Sequence, residues 1–109
     1  MNKQKVANWL GLAFRAGSAV TGDQACLAEI RKGRACLALL AQDAGSNTKK
    51  KYQDKCAYYR VPLIEVLNKE ELGRALGKHD RAAVVITNHG FAKNILLELG
   101  EQIGGEAIE

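Results

Sequence analysis

Apolar positions along the chain follow two different spacings. Five segments carry apolar residues at helical spacing, which is typical of amphipathic helices with one buried stripe. They lie at residues 3–16, 22–33, 46–59, 68–76 and 91–99. Four shorter apolar runs between them predict strands, at residues 18–21, 36–41, 61–66 and 82–86. The order α-β-α-β-α-β-α-β-α predicts an α/β fold, a three-layer α/β/α sandwich around a four-stranded mixed sheet.

Polar residues and glycines mark where several helices begin and end. Asn68 followed by Glu71 matches the capping box that opens a helix, and Gly77 stands where that short helix should stop. The polar residues 46–48 are candidate N-caps for the third helix. Asp23 lies at the start of the second helix, and we expect its carboxylate to cap that helix.

Length and composition indicate one domain. The chain has 109 residues, of which 47% are apolar and 26% charged, so we treat residues 1–109 as a single globular domain. Cys26, Cys36 and Cys56 form no C-x-x-C pair and are predicted to be buried thiols in a reducing compartment. The N-terminal segment fits neither a signal peptide nor a membrane span, which predicts a cytoplasmic protein without membrane contact.

Basic residues are concentrated in the first part of the chain. The formal net charge is +4 and the isoelectric point is about 9.1. Residues 1–60 hold eleven Lys or Arg against four Asp or Glu, whereas residues 61–109 hold five against eight. A basic face built from the first part favours an anionic partner.

Candidate catalytic groups are scarce. Residues 73–79 resemble a phosphate-binding loop, but three residues separate the two glycines where that motif has four, and His79 replaces its Ser or Thr. His79 and His89 are isolated from cysteines and paired carboxylates, and neither Ser18 nor Ser46 lies in a nucleophile motif. We therefore expect no catalysis, no cofactor and no metal site, and a small nucleotide-dependent enzyme is the least favoured class.

Two basic segments have two interpretations each. Residues 49–51 with Lys55 form the densest run, and residues 31–34 hold three basic side chains at the end of the second helix. Either segment is explained by a solvated helix face, or by contacts to phosphate. Tyr58 is the one tyrosine of the third helix outside the core spacing, which leaves its ring free to stack on a base.

The order of several short motifs resembles the ribosomal protein L7Ae family of RNA binders. The helix that Gly22 opens ends in Ile-Arg-Lys-Gly, and Leu-Ala-Leu-Leu-Ala-Gln-Asp-Ala and Leu-Gly-Arg-Ala-Leu-Gly-Lys follow it. Residues 11–17, 43–50 and 90–93 resemble the small bacterial branch of that family called YlxQ. The resemblance implies a three-layer α/β/α fold that binds kink-turn RNA, a sharply bent helix with an internal loop and sheared G·A pairs. It also implies that the protein has no catalytic activity and no cofactor. A further expectation is that the protein associates with ribosomes.

The resemblance also implies a binding site at the start of the second helix. Gly22 matches the family's glycine, and Gln24 occupies a position that is usually Asn or Lys. Ala25 stands where a Glu, Gln or Ser usually reads the guanines, and Ala28 replaces a lysine that contacts RNA. Each missing polar contact removes roughly 1–3 kcal/mol from binding.

A second contact loop, residues 77–83, follows the pattern of the L30e branch, in which Lys78 and Arg81 supply phosphate contacts or a guanidinium stack. The complete predicted RNA site comprises Gly22, Asp23, Gln24, Ala25, Ala28, Arg31, Lys32, Lys78, His79 and Arg81. The two alanines support an alternative hypothesis, a protein-interaction module that keeps the fold but has lost kink-turn binding.

Overall fold

Residues 1–100, which the computed structural model describes, contain five helices and four strands in strict alternation. They are α1 (Lys3–Arg15), β1 (Ala19–Thr21), α2 (Asp23–Arg31), β2 (Leu37–Leu40), α3 (Ser46–Tyr59), β3 (Leu63–Glu65), α4 (Lys69–Ala75), β4 (Ala83–Ile86) and α5 (His89–Glu98). The predicted element order is confirmed. The strands are one to three residues shorter than the apolar runs that predicted them. The remaining residues of each run lie outside the paired register of the sheet.

One mixed sheet joins the four strands in the order β1-β4-β2-β3. β2 and β3 are parallel, whereas β4 is antiparallel to both β1 and β2. The pairs are Thr21 with Val84, Leu40 with Ala83 and Leu40 with Glu65. They place the ends of β1, β2 and β3 on the same side of the sheet as the beginning of β4. We call this side of the sheet the upper edge.

Helices cover both faces of the sheet. On one face α2 packs against α3, and on the other α1 packs against α4 and α5. All four residues of β2 and all four of β4 are buried, as expected for strands covered on both sides. The buried apolar residues form one core cluster. The predicted three-layer α/β/α sandwich is confirmed.

The fourth helix and the loop after it follow the sequence signals. The Oδ1 atom of Asn68 accepts from the Glu71 amide at 2.8 Å, and Glu71 Oε1 accepts from the Asn68 amide at 2.9 Å, so the predicted capping box is present. Gly77 has a φ of 71° at the predicted stop. A Cβ on Gly73 would lie 1.9 Å from the His79 carbonyl oxygen. Gly73 therefore serves to let the loop pack on the helix.

Two predicted N-caps are wrong. The N-cap of α2 is Gly22, which has no side chain to accept a hydrogen bond, and the Asp23 carboxylate bonds instead to side chains of α3. The N-cap of α3 is Gly45, with no capping side chain. Since the chain enters that helix at residue 45, the polar residues 46–48 already lie within its first turn.

The cysteines are free thiols in the core or at its border. Cys26 and Cys56 are buried, while Cys36 is half-buried. Burial raises the pKa of both Cys26 and Cys56 to about 11, which keeps these two thiols protonated at neutral pH. Within residues 1–100, no helix combines the length and the apolar character that crossing a membrane requires.

Candidate nucleic-acid interface

The upper edge brings together segments that are far apart in the sequence. The Thr21 hydroxyl donates to the Ala83 carbonyl at 2.9 Å, which ties the end of β1 to the beginning of β4. The Ala41 amide donates to the Ala82 carbonyl at 2.8 Å, so the loop after β2 lies beside the same strand. The start of α2, the loop at residues 41–45 and the last residues of the loop at 76–82 therefore share one edge.

The start of α2 presents backbone donors to solvent. Gly22 has φ 93° and ψ 134°, a conformation that favours glycine. Apart from its two chain neighbours, no residue has an atom within 4 Å of where its Cβ would be. Gln24 and Ala25 are exposed in the first turn. The first amides of a helix have no intrahelical acceptor, and together with the helix dipole they attract an anion such as phosphate.

An acidic side chain in this first turn is held by two residues of α3. The Asp23 carboxylate accepts from Lys51 Nζ at 2.7 Å and from the Tyr52 hydroxyl at 3.0 Å. The hydrogen bond from Lys51 lowers the pKa of Asp23 below its ordinary value, although burial opposes it. Lys51 thus offsets a negative charge beside a surface that suits an anion.

Sequence reasoning missed this contact between helices. One signal was available, because Tyr52 was predicted in the core, where it is fully buried, and a buried tyrosine hydroxyl usually finds a hydrogen-bond partner. Burial raises the pKa of the Tyr52 hydroxyl, so this group stays protonated and donates. The identity of its partner followed only from the packing of α2 on α3.

The predicted basic residues of α2 lie away from the upper edge. Arg31 ends the helix, about 12 Å along the axis from Asp23. Gln24, Ala28 and Arg31 follow at i, i+4 and i+7, so they share one stripe of the helix. Arg31 and Lys32 are exposed, and no carboxylate of residues 1–100 forms an ion pair with either.

The predicted RNA-binding residues of the loop between α4 and β4 make different contacts. The ammonium of Lys78 lies 5.7 Å from the centroid of the Phe14 ring, so it contacts the last turn of α1. Arg81 is half-buried, and its Nη1 atom donates to the carbonyls of Asp80 at 2.9 Å and His79 at 3.4 Å. His79 is exposed. Arg81 therefore stabilises the loop beside the upper edge, while Lys78 joins it to α1.

The lysine run at residues 49–51 is paired throughout. Its ammonium groups lie within ion-pair distance of carboxylates on three elements: Lys49 and Glu65 at 3.2 Å, Lys50 and Asp54 at 3.3 Å, and Lys51 and Asp23 at 2.7 Å. A lysine must give up its carboxylate to hold a phosphate. For this run, the interpretation as a solvated and ion-paired helix face is favoured.

The sequence resembles that of characterised proteins over most of its length. Residues 4–96 match the model of the ribosomal protein L7Ae/L30e/S12e/Gadd45 family. RNA-binding protein YlxQ of Bacillus subtilis (strain 168) is 48% identical over 87 residues, which cover 80% of this chain and 87% of that protein. RNA-binding protein YlxQ of Enterococcus faecium is 44% identical over 92 residues, covering 84% and 88%. The expected resemblance to the small bacterial branch is confirmed.

Solved structures share the fold. A protein of unknown function from Bacillus halodurans superposes with a TM-score of 0.84 at 38% identity, over 89% of this chain and 98% of that chain. A 15.5 kD RNA-binding protein of Giardia lamblia superposes with a TM-score of 0.71, over 88% and 82%. At 21% identity, the second likeness bears on the fold alone.

Proposed function

Because the chain belongs to the ribosomal protein L7Ae/L30e/S12e/Gadd45 family, we propose that it is a non-catalytic protein that binds structured RNA at a kink-turn-like bend. Two relatives that cover most of its length are named RNA-binding proteins. RNA also suits a chain whose first sixty residues carry most of its basic side chains.

One observation carries the proposal: the sheet register brings the start of α2 to the same edge as the loop preceding β4. The amides that follow Gly22 hold a phosphate of the bent backbone, and Gln24 contacts the bases at the bend. Ala25 and Ala28 give close apolar contact in place of the polar contacts usual in the family. Asp23 takes part through its pair with Lys51, which limits repulsion of the RNA.

Basic side chains extend this site along α2 and into the loop before β4. Arg31 and Lys32 continue the stripe of Gln24 and Ala28 and contact phosphates of the stem that leaves the bend. On the other side, Lys78 and His79 lie on the exposed part of the loop that Arg81 stabilises. Contacts of this kind position the RNA without reading its sequence.

We further propose that the RNA is ribosomal and that the protein acts in the cytoplasm. The family that its sequence matches is described as one of ribosomal proteins. All three cysteines are free, which agrees with a reducing compartment.

The test compares a consensus kink-turn RNA with the same RNA whose G·A pairs are replaced, titrated at about 0.1 M salt, because charge alone would bind both equally. We expect the intact RNA to bind at least about tenfold more tightly, the effect of one good base contact. Gln24→Ala should reduce that selectivity, whereas Gln53→Ala, which removes an exposed glutamine of α3, should preserve it.

A second candidate, the protein-interaction module, is favoured by the exposed methyl group of Ala25 and by Ala28 beside it. Equal affinity for the two RNAs, or no binding of either, would overturn kink recognition and favour this candidate.

A further inference from the structure

The outer surface of α3 carries a basic and aromatic feature that shares only Lys51 with the proposed site. A depression of about 520 Å³ is lined by Lys51, Asp54, Lys55, Tyr58 and Tyr59. Lys51, Lys55 and Tyr58 follow at i, i+4 and i+7, so they lie on one side of the helix. We call these three residues the α3 stripe.

Tyr58 is held in place and yet open to solvent. Its side chain is 78% exposed, although aromatic residues usually bury a large surface. The ring packs edge-to-face against Tyr59, with 4.8 Å between centroids and 76° between planes. Tyr59 is half-buried and packs on the core. Because the ring already packs on Tyr59, a planar ligand that stacks on its open side removes less side-chain freedom than it would from an isolated tyrosine.

The charges around Tyr58 favour an anionic ligand. No carboxylate of residues 1–100 forms an ion pair with Lys55. Asp54, the acidic residue that lines the depression, is paired with Lys50 at 3.3 Å. A ligand at the α3 stripe therefore meets an unpaired ammonium beside an aromatic face.

The α3 stripe begins beside the proposed site. α2 and α3 both follow strands that end at the upper edge, and they pack on each other on one face of the sheet, so they run in the same direction. The side chain of Lys51 reaches from α3 to the start of α2, where its ammonium donates to the Asp23 carboxylate. Tyr58 is seven residues further along α3, a distance of about 10 Å. The stripe thus leads away from the upper edge, toward the helix ends.

We infer that the α3 stripe binds a single-stranded RNA segment continuous with the structured RNA held at the upper edge. This inference rests on the proposed function for the identity of the ligand. One base stacks on Tyr58, while Lys55, the unpaired lysine of the stripe, contacts a phosphate. An aromatic platform beside lysines is the usual arrangement for single strands, because every base has a π face. The length of the stripe matches about three stacked nucleotides.

The experiment measures the affinity for three kink-turn RNAs: one with blunt ends, one with six unpaired nucleotides at the 5′ end, and one with six at the 3′ end. We expect one of the extensions to tighten binding about tenfold, within the range for one base stacked on an aromatic residue. Tyr58→Ala should abolish this gain and leave the affinity for the blunt RNA unchanged. Tyr58→Phe, which keeps the ring, should retain the gain.

A control variant in the other helical layer separates stacking from other effects. Leu97→Ala removes a side chain that is 57% exposed on α5, in the other helical layer, and should preserve the gain. A gain that survives Tyr58→Ala, or the absence of any gain for the wild-type protein, would overturn the inference while leaving kink recognition intact.

A titration with a single-stranded hexanucleotide, followed by amide NMR shifts, separates this inference from the proposed function. We expect shifts at Lys55 and Tyr58 that Tyr58→Ala removes. If the protein fails to distinguish the two kink-turn RNAs but shows these shifts, kink recognition is wrong and the stripe is confirmed. Shifts confined to other regions, or none, would overturn the stripe.

Discussion

Residues 49–51 and residues 31–34 are both rich in basic side chains, yet the fold surrounds them differently. Each lysine of the first segment meets a carboxylate, supplied by β3, α3 and α2 in turn. In the second segment only Arg34 is paired, with Glu29. Arg31 and Lys32 are exposed and have no carboxylate partner among residues 1–100.

A dense run of charge in a sequence is therefore a poor guide to where an anion binds. Lys49 and Lys51 join α3 to neighbouring elements, and Lys50 pairs within the helix. Each exposed ion pair of this kind contributes only about 0–1 kcal/mol to stability. Arg31 and Lys32 have donors without a competing carboxylate, so a phosphate that met them would not have to displace an ion pair.

The largest expected change in RNA affinity comes from neutralising Arg31 and Lys32, the two unpaired residues of the second segment. Arg31→Gln with Lys32→Gln should weaken binding of structured RNA about tenfold at 0.1 M salt, because two phosphate contacts are lost. The slope of log affinity against log salt should fall by about two. Binding titrations at several salt concentrations measure both quantities.

The matched control removes two charges from residues 49–51, which we call the paired segment. Lys49→Gln with Lys50→Gln changes the net charge equally, but neither ammonium is free to hold a phosphate. We expect an unchanged salt slope and an affinity change below about threefold, since salt screens exposed charges over about 10 Å. Equal losses in the two double variants would show that net charge, and not pairing, governs binding.

A smaller effect is expected where the paired segment touches the proposed site. Lys51→Gln leaves the Asp23 carboxylate without its cation at the start of α2, and we expect a loss of about threefold in affinity for a blunt kink-turn RNA. Adding Asp23→Asn removes that negative charge and should restore the wild-type affinity. If the second substitution deepens the loss, the carboxylate contacts RNA directly.

The smallest effect concerns stability against pH. Because the hydrogen bond from Lys51 holds the pKa of Asp23 below its ordinary value, this pair stabilises the fold fully above the pKa of a free aspartate, about 4. The contribution disappears as the pH falls through the lower pKa of the folded state. We expect Asp23→Asn to lose less than about 1 kcal/mol at pH 6, since the pair is exposed. Urea unfolding at pH 6 and pH 2 measures the free energy of unfolding of both proteins. The difference in this free energy between Asp23→Asn and the wild type should be smaller at pH 2.

Much of the local structure was predictable because it depends on residues close together in the sequence. Helix stripes, the capping box of Asn68 and Glu71, and the turn at Gly77 all arise within a few residues. The exposure of Tyr58 followed from its position off the core stripe of α3. The same local reasoning failed at Asp23, where bonds to α3 replaced a cap.

The order of the elements and the three-layer class can be read from the chain, since apolar spacing dictates which surfaces each element buries. Its motifs also indicated the family. The position of β4 between β1 and β2, which brings the start of α2 and the loop before β4 to one edge, emerged only when the elements packed together. The same packing sets which lysines are paired, because Lys51 meets Asp23 across 28 positions of sequence. Contacts of that range depend on strand order and helix packing, and no local pattern of residues encodes them.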